Sequence, residues 1–97
     1  MAAYLFGEIE VQNPAGLEPY RAAVHDTITK YGGRFLVRGG ASKLKEGAPE
    51  PKYIVIVEFP DSAALERWWN SIEYQQILPF RLQNTTGRLF TVEGVSG

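Results

Sequence analysis

The run of residues 53–59, Tyr-Ile-Val-Ile-Val-Glu-Phe, constrains the fold more than any other segment of the chain. Nearly all of its residues are β-branched or aromatic, which favours a β-strand. Its near-continuous apolar character indicates a central strand covered on both faces, because a strand with one wet face alternates apolar and polar residues. A chain of 97 residues has room for one hydrophobic core. We therefore expect a single domain, residues 1–97, built around this strand.

Alternation and turn residues predict the remaining elements. Apolar residues at helical spacing favour a first helix that ends at the Gly32-Gly33 pair, with Pro19 in its first turn. Residues 13–16 have the composition of a turn, and residues 40–52 that of a loop. The predicted elements are strands at 4–11, 34–38, 53–59 and 88–93, helices at about 17–31 and from 60–62 onward, and a short helical turn from Ser71 to before Pro79.

The resulting order, β-α-β-β-α-β, predicts an α+β fold. Right-handed crossovers convert this order into a ferredoxin-like sandwich with a four-stranded antiparallel sheet. Two helices cover only one face of such a sheet, yet the strands carry apolar residues on both faces. In the first strand Tyr4 and Phe6 alternate with Leu5 and Ile9. The uncovered face predicts a homodimer that packs sheet against sheet.

Composition excludes several classes of function. The chain has no cysteine, which excludes disulfides, thiolate catalysis, iron–sulfur clusters and cysteine-ligated zinc, and fits a cytoplasmic location. The net charge is −1 with no basic stripe, so we expect no nucleic-acid partner. No apolar run approaches the ~20 residues of a membrane span, and the first residues lack the basic region of a secretory signal. We therefore expect no membrane association.

Several segments resemble the DUF1330 family, in order and at its usual spacing. They are Tyr31-Gly32-Gly33-Arg34-Phe35-Leu36-Val37-Arg38-Gly39-Gly40, Leu44 with Glu46-Gly47, Val57-Glu58-Phe59-Pro60-Asp61, and Trp68-Trp69-Asn70-Ser71-Ile72-Glu73-Tyr74-Gln75 followed by Arg81. The resemblance covers nearly the whole chain and implies a dimeric α+β barrel. It implies no activity, because the family is one of unknown function. Ile72 departs from the family's usual proline, and residues 16–19 open the first helix less regularly than usual.

Four residues are candidates for catalysis: Arg38, Tyr74, Arg81 and His25. His25, the only histidine, is either a general base or a half-solvated residue at the edge of a helix. No second histidine follows at helical spacing, so we expect no metal site. The chain has no Gly-rich phosphate loop, and we expect no bound cofactor. Arg38 either forms an ion pair with Glu58 on the next strand or clamps a substrate carboxylate or enolate.

The segment from Ser71 to Arg81 combines polar groups with aromatic surface. In a functional interpretation Tyr74 donates a hydrogen bond to a ligand and Arg81 holds an anion. In a structural interpretation Ser71 caps a helix and the group stabilises the connection to the last strand. Pro79 argues against one continuous helix that would align Tyr74 with Arg81.

Four further residues are candidates for binding substrate: Trp68, Trp69, Ser71 and Glu58. The two tryptophans are adjacent and would point about 100° apart on a helix, so one is expected in the core and the other at a cleft or at the dimer edge.

Three functions remain open. The first is a cofactor-free enzyme, an isomerase or monooxygenase acting on a small aromatic or oxygenated acid in a mostly apolar cleft. The second is a non-catalytic protein that binds a small metabolite in the same cleft. The third is a structural or interaction dimer without a cleft. Relatives that share the dimeric α+β barrel include cofactor-free monooxygenases, muconolactone isomerases and haem-using chlorite dismutases, and this analogy of fold assigns no reaction.

Overall fold

A computed structural model describes residues 1–95, and its elements follow the predicted order. They are β1 (Ala3–Val11), α1 (Pro14–Lys30), β2 (Arg34–Arg38), β3 (Tyr53–Phe59), α2 (Ser62–Trp69), α3 (Ile72–Asn84) and β4 (Thr85–Glu93). Within residues 1–95, no helix combines the length and the apolar character needed to cross a membrane.

The four strands form one antiparallel sheet in the order β2-β3-β1-β4. This is the split βαβ topology of the ferredoxin-like sandwich, so the predicted fold class is confirmed. β3 is a central strand, as its apolar run predicts. The helices cover one face of the sheet, and the largest fully buried side chains lie between them and that face: Trp68, Tyr74, Phe59, Ile28 and Val57.

α1 begins earlier than predicted, because residues 13–16 form its first turn. Asn13 is the N-cap, and its side-chain oxygen accepts a hydrogen bond from the Gly16 N–H at 3.4 Å. Pro14 occupies the first helical position, where its missing N–H costs nothing. The prediction of a turn at these residues, with Pro19 in the first turn of the helix, was therefore wrong, and Pro19 lies inside α1.

α3 is also longer than predicted, and it continues through Pro79 to Asn84. Tyr74, Leu78 and Arg81 are its buried residues, spaced four and three apart, so they form one buried stripe. Packing of this stripe offsets the backbone hydrogen bond that Pro79 removes. The Asn84 carbonyl then accepts hydrogen bonds from the Gln12 and Asn13 N–H groups at 2.8 and 3.2 Å. β4 consequently begins at Thr85 and not at Arg88.

A β-bulge in β2 changes which face of the sheet Arg38 occupies. Phe35 pairs with Val57 and Arg38 with Val55, whereas Arg34 pairs with Glu58, and the register shifts between Phe35 and Val37. The extra residue places Arg38 on the helix-covered face together with Phe35, and leaves Arg34 on the open face. Strict alternation along β2 would place Arg34 and Arg38 on the same face, and the bulge separates them.

A polar cluster joins the end of α1 to the beginning of α3. The Lys30 ammonium lies 2.7 Å from one oxygen of Glu73, and the Tyr31 hydroxyl donates a hydrogen bond to the other oxygen at 3.0 Å. The hydrogen bond from Lys30, followed by that from Tyr31, holds the pKa of Glu73 at about 2, below its usual 4.5. Glu73 also lies in the first turn of α3, where a negative charge suits the helix dipole.

This cluster predicts a component of acid sensitivity. The folded protein keeps Glu73 ionised between pH 4.5 and about 2, whereas the unfolded chain binds a proton there. The stabilisation is therefore complete above pH 4.5 and is lost as the pH falls towards 2. We expect the Glu73→Gln variant to be less stable than the wild type above this window and to lose less stability within it, as measured by urea unfolding at several pH values. The exposed Glu66→Gln on α2 is the control; a Glu73→Gln profile parallel to the wild type would contradict the assignment.

Candidate functional site

A cleft lies between α1 and the helix-covered face of the sheet. Its empty space is about 640 Å³ when the part that is open to solvent is included. Its walls are mainly aliphatic and aromatic. The lining residues are Leu5, Ile9, Val11, Leu17, Tyr20, Arg21, Val24, Ile28, Phe35, Arg38, Tyr53, Val55, Val57, Trp68, Arg81 and Leu89.

The charged groups of this cleft are all cationic. Arg21, Arg38 and Arg81 line it, whereas none of its lining residues among 1–95 is a carboxylate. Arg21 makes only a loose contact of 3.7 Å with Glu18 on the same helix, and both side chains are exposed. An apolar cleft with several guanidinium groups favours an organic anion as ligand.

Arg81 is the deepest of these cations. The residue is only 7% exposed, and its Nε atom is buried without a hydrogen-bond partner in the described chain. Its guanidinium carbon lies 5.8 Å from the centre of the Tyr20 ring. No carboxylate of residues 1–95 lies within 4.0 Å of the Arg81 side chain, so its charge is not neutralised by an ion pair. A buried cation in this condition is costly, and an anion that enters the cleft would relieve the cost.

Tyr20 and Tyr74 place two hydroxyls beside this cation. Their oxygens are 3.0 Å apart, and either hydroxyl is able to donate to the other. Burial raises the pKa of Tyr20 well above its usual 10.0, and the neighbouring Tyr74 adds to this increase, whereas Arg81 opposes it. Tyr20 therefore stays protonated at neutral pH and acts as a hydrogen-bond donor rather than as a base. Sequence analysis predicted Tyr74 and missed Tyr20, whose only signal was a phenol in the otherwise mainly aliphatic stripe of α1.

Tryptophan packing fixes the position of Tyr74. The Trp68 ring is fully buried, lies 4.1 Å from the Tyr74 ring centre and donates its indole N–H to the Thr27 hydroxyl at 3.0 Å. Trp69 is half-buried and packs 5.4 Å from the same tyrosine. Trp68 lines the cleft while Trp69 does not. The two side chains differ in burial, as expected, but the tryptophan that lines the cleft is the core residue Trp68 and not the other one.

Arg38 lies on the outer part of the cleft. Its guanidinium carbon is 4.5 Å from the centre of the Phe35 ring. The alternative interpretation of Arg38 as the ion-pair partner of Glu58 was wrong, because the bulge puts them on opposite faces of the sheet. His25 stacks on Phe35 at 6.2 Å with its side chain 63% exposed, and it is not a lining residue.

Two other predicted site residues lie away from the cleft. The Ser71 hydroxyl donates to the Trp68 carbonyl at 2.7 Å and accepts from the Tyr74 N–H at 3.2 Å, so it caps α3. Glu58 lies on the open face, where it accepts hydrogen bonds from Arg34 at 2.9 Å and Tyr4 at 3.1 Å. These bonds, that from Arg34 first, lower the pKa of Glu58. Nowhere in residues 1–95 do three histidine or carboxylate side chains come together as metal ligands would.

Solved structures of several bacterial proteins share this α+β sandwich. RPA0582 from Rhodopseudomonas palustris, a protein of unknown function, has a TM-score of 0.71 and 18% identity over 99% of this chain and 84% of that one. SnoaB from Streptomyces nogalater, a cofactor-independent oxygenase, has a TM-score of 0.68 and 15% identity over 99% of this chain and 95% of that one. HapK from Hahella chejuensis has a TM-score of 0.61 and 16% identity over 98% of this chain and 94% of that one. At such identities the likeness establishes the fold alone.

The family is established by sequence. The model of the family described as "Domain of unknown function (DUF1330)" matches residues 2–95, which is nearly the whole chain. The chain therefore belongs to the DUF1330 family, as the segments around Tyr31 and Trp68 indicate. Among curated proteins, no match to this chain was found.

Proposed function

We propose that this protein binds a small aromatic organic acid in the cleft between α1 and the sheet, with the acid's oxygens at Arg81. One observation carries the proposal: Arg81 is buried, its Nε lacks a partner, and no carboxylate of residues 1–95 neutralises it. An incoming carboxylate would take up the free Nε–H in a charge-assisted hydrogen bond. Burying the uncompensated charge of Arg81 costs folding free energy, and the hydrogen bond to the ligand would offset that cost.

The surroundings of Arg81 favour an aromatic acid over an inorganic anion. Trp68, Phe35 and the aliphatic walls provide apolar surface on which a ring would pack. Tyr74 is fully buried and does not line the cleft, but its hydroxyl is able to donate to that of Tyr20, which lines the cleft and would then be a further donor to an oxygen held by Arg81. A small hydrophilic anion would leave the apolar walls unused, whereas an aromatic carboxylate uses both parts of the cleft.

The Arg81→Met variant tests this proposal, with 4-methylbenzoate as the probe. Methionine fills similar space without charge, so the ligand-free variant should be as stable as the wild type or up to about 4 kcal/mol more stable. Binding of 4-methylbenzoate, measured by isothermal titration calorimetry, should be lost. Urea unfolding of both proteins without ligand gives the stability difference.

Arg67→Met is the matched control, because Arg67 is an exposed arginine of α2 that does not line the cleft. It should bind the probe as the wild type does. If Arg81 has a purely structural role, Arg81→Met will be less stable than the wild type and no aromatic acid will bind to either protein. That pair of results would contradict the proposal.

A second candidate function is cofactor-free catalysis by the same groups, as an isomerase or monooxygenase. The observation in its favour is that Arg81 and the Tyr20 hydroxyl, which is paired with Tyr74, line the cleft together and are donors suited to stabilising an enolate oxygen. SnoaB, a cofactor-independent oxygenase, shares the fold at low identity. No carboxylate or histidine of residues 1–95 lines the cleft to remove a proton. We therefore place binding first and catalysis second, with Tyr74, Arg81 and Arg38 as its candidate residues.

We also propose that two copies pack together through the open face of the sheet. This face carries apolar side chains, with Phe6 and Phe90 stacked 5.5 Å apart and Val92 48% exposed beside them. Charges of both signs accompany them, because Glu58 pairs with Arg34 and Glu10 with Lys52. A two-fold axis would place this mixed patch against its own copy, burying the apolar part. A cytoplasmic location rests on the lack of cysteine and stays a prediction.

The mass of the protein in solution tests the proposed dimer. We expect sedimentation at twice the chain mass of 10.8 kDa, and a shift to the single-chain mass in the Phe90→Glu variant. Phe80→Glu is the control, because Phe80 is similarly exposed (40% against 45%) but lies on α3. A wild-type protein that sediments as a monomer at micromolar concentration would contradict the dimer.

A further inference from the structure

Arg38 is an exposed arginine at the rim of the cleft. It lies on the helix-covered face only because of the bulge in β2, and it lines the cleft beside Phe35. No carboxylate of residues 1–95 lies within 4.0 Å of its side chain. The nearby Phe35 ring, 4.5 Å from the guanidinium carbon, supports the flat group and leaves its N–H donors free.

Arg38 and Arg81 reach the cleft from different elements. β2, which carries Arg38, is one edge of the sheet, and β4 is the other edge. α3, which carries Arg81, packs against α1 and contacts β4. The apolar lining, including Val55, Val57 and Trp68, belongs to the same cleft as both cations. A ligand in this cleft therefore has two cationic groups available, one from β2 and one from α3.

We propose that the ligand is an aromatic acid with two anionic groups, the second of which binds Arg38. This inference rests on the proposed function, because it assigns the first anionic group to Arg81. A planar guanidinium held on an aromatic ring suits a carboxylate, which it binds through parallel hydrogen bonds. Among residues 1–95, the cleft is lined by three arginines and by no aspartate or glutamate. With one anionic group at Arg81, the positive charges of Arg38 and Arg21 remain, and a second anionic group would offset part of this charge.

Terephthalate and 4-methylbenzoate form a matched pair of probes, because they differ only in a carboxylate or a methyl group at the far end of the ring. We expect the wild type to bind terephthalate about tenfold more tightly, the value of one net charge-assisted hydrogen bond. In the Arg38→Ala variant the two probes should bind with equal affinity, because the preference for terephthalate is lost with the guanidinium that holds its second carboxylate. Both affinities are measured by isothermal titration calorimetry.

Arg34→Ala is the matched control, because Arg34 lies on the same strand but faces the open side of the sheet, where it pairs with Glu58. It should keep the preference for terephthalate. If 4-methylbenzoate binds and terephthalate binds no better, or if Arg38→Ala keeps the preference, the second anionic group is refuted while the proposed function stands. If neither probe binds, the proposed function fails and this inference fails with it.

Discussion

The packing of α3 against α1 is the constraint on which both the core and the cleft depend. Tyr74 of α3 meets Tyr20 of α1 in a hydroxyl–hydroxyl hydrogen bond of 3.0 Å, and the buried Trp68 lies 4.1 Å behind it. α3 stays helical through Pro79. Arg81, about one turn after Leu78, then lies with its guanidinium carbon 5.8 Å from the centre of the Tyr20 ring. The same packing that completes the core therefore buries a cation at the end of a cleft.

Much of the fold follows from the sequence. The apolar run at 53–59 predicts a central strand, and the element order then leaves a ferredoxin-like sandwich as the expected topology. What the sequence does not predict depends on tertiary contacts. α3 passes Pro79 because Tyr74, Leu78 and Arg81 are buried, and neither that burial nor its energy can be derived from local propensity.

The candidate site was predictable only in part. Arg81, Tyr74 and Arg38 stand out in the sequence as polar groups beside aromatic residues, and two of them line the cleft. Strict alternation along β2 places Arg38 with Arg34, and only the bulge reveals the opposite face. Tyr20 escapes notice because a tyrosine in a helical apolar stripe usually belongs to the core. Its pairing with Tyr74, 54 residues away, is visible only in three dimensions.

The central claim is that the Nε–H of Arg81 is a vacant donor for an organic anion. Nuclear magnetic resonance of the ¹⁵N-labelled protein observes this group directly, with and without 4-methylbenzoate. We expect the Arg81 Nε–H resonance to move downfield and to exchange with solvent more slowly as the probe saturates the protein, because a carboxylate then accepts a hydrogen bond from this group. A probe that binds while the Arg81 Nε–H resonance stays unchanged would contradict the account.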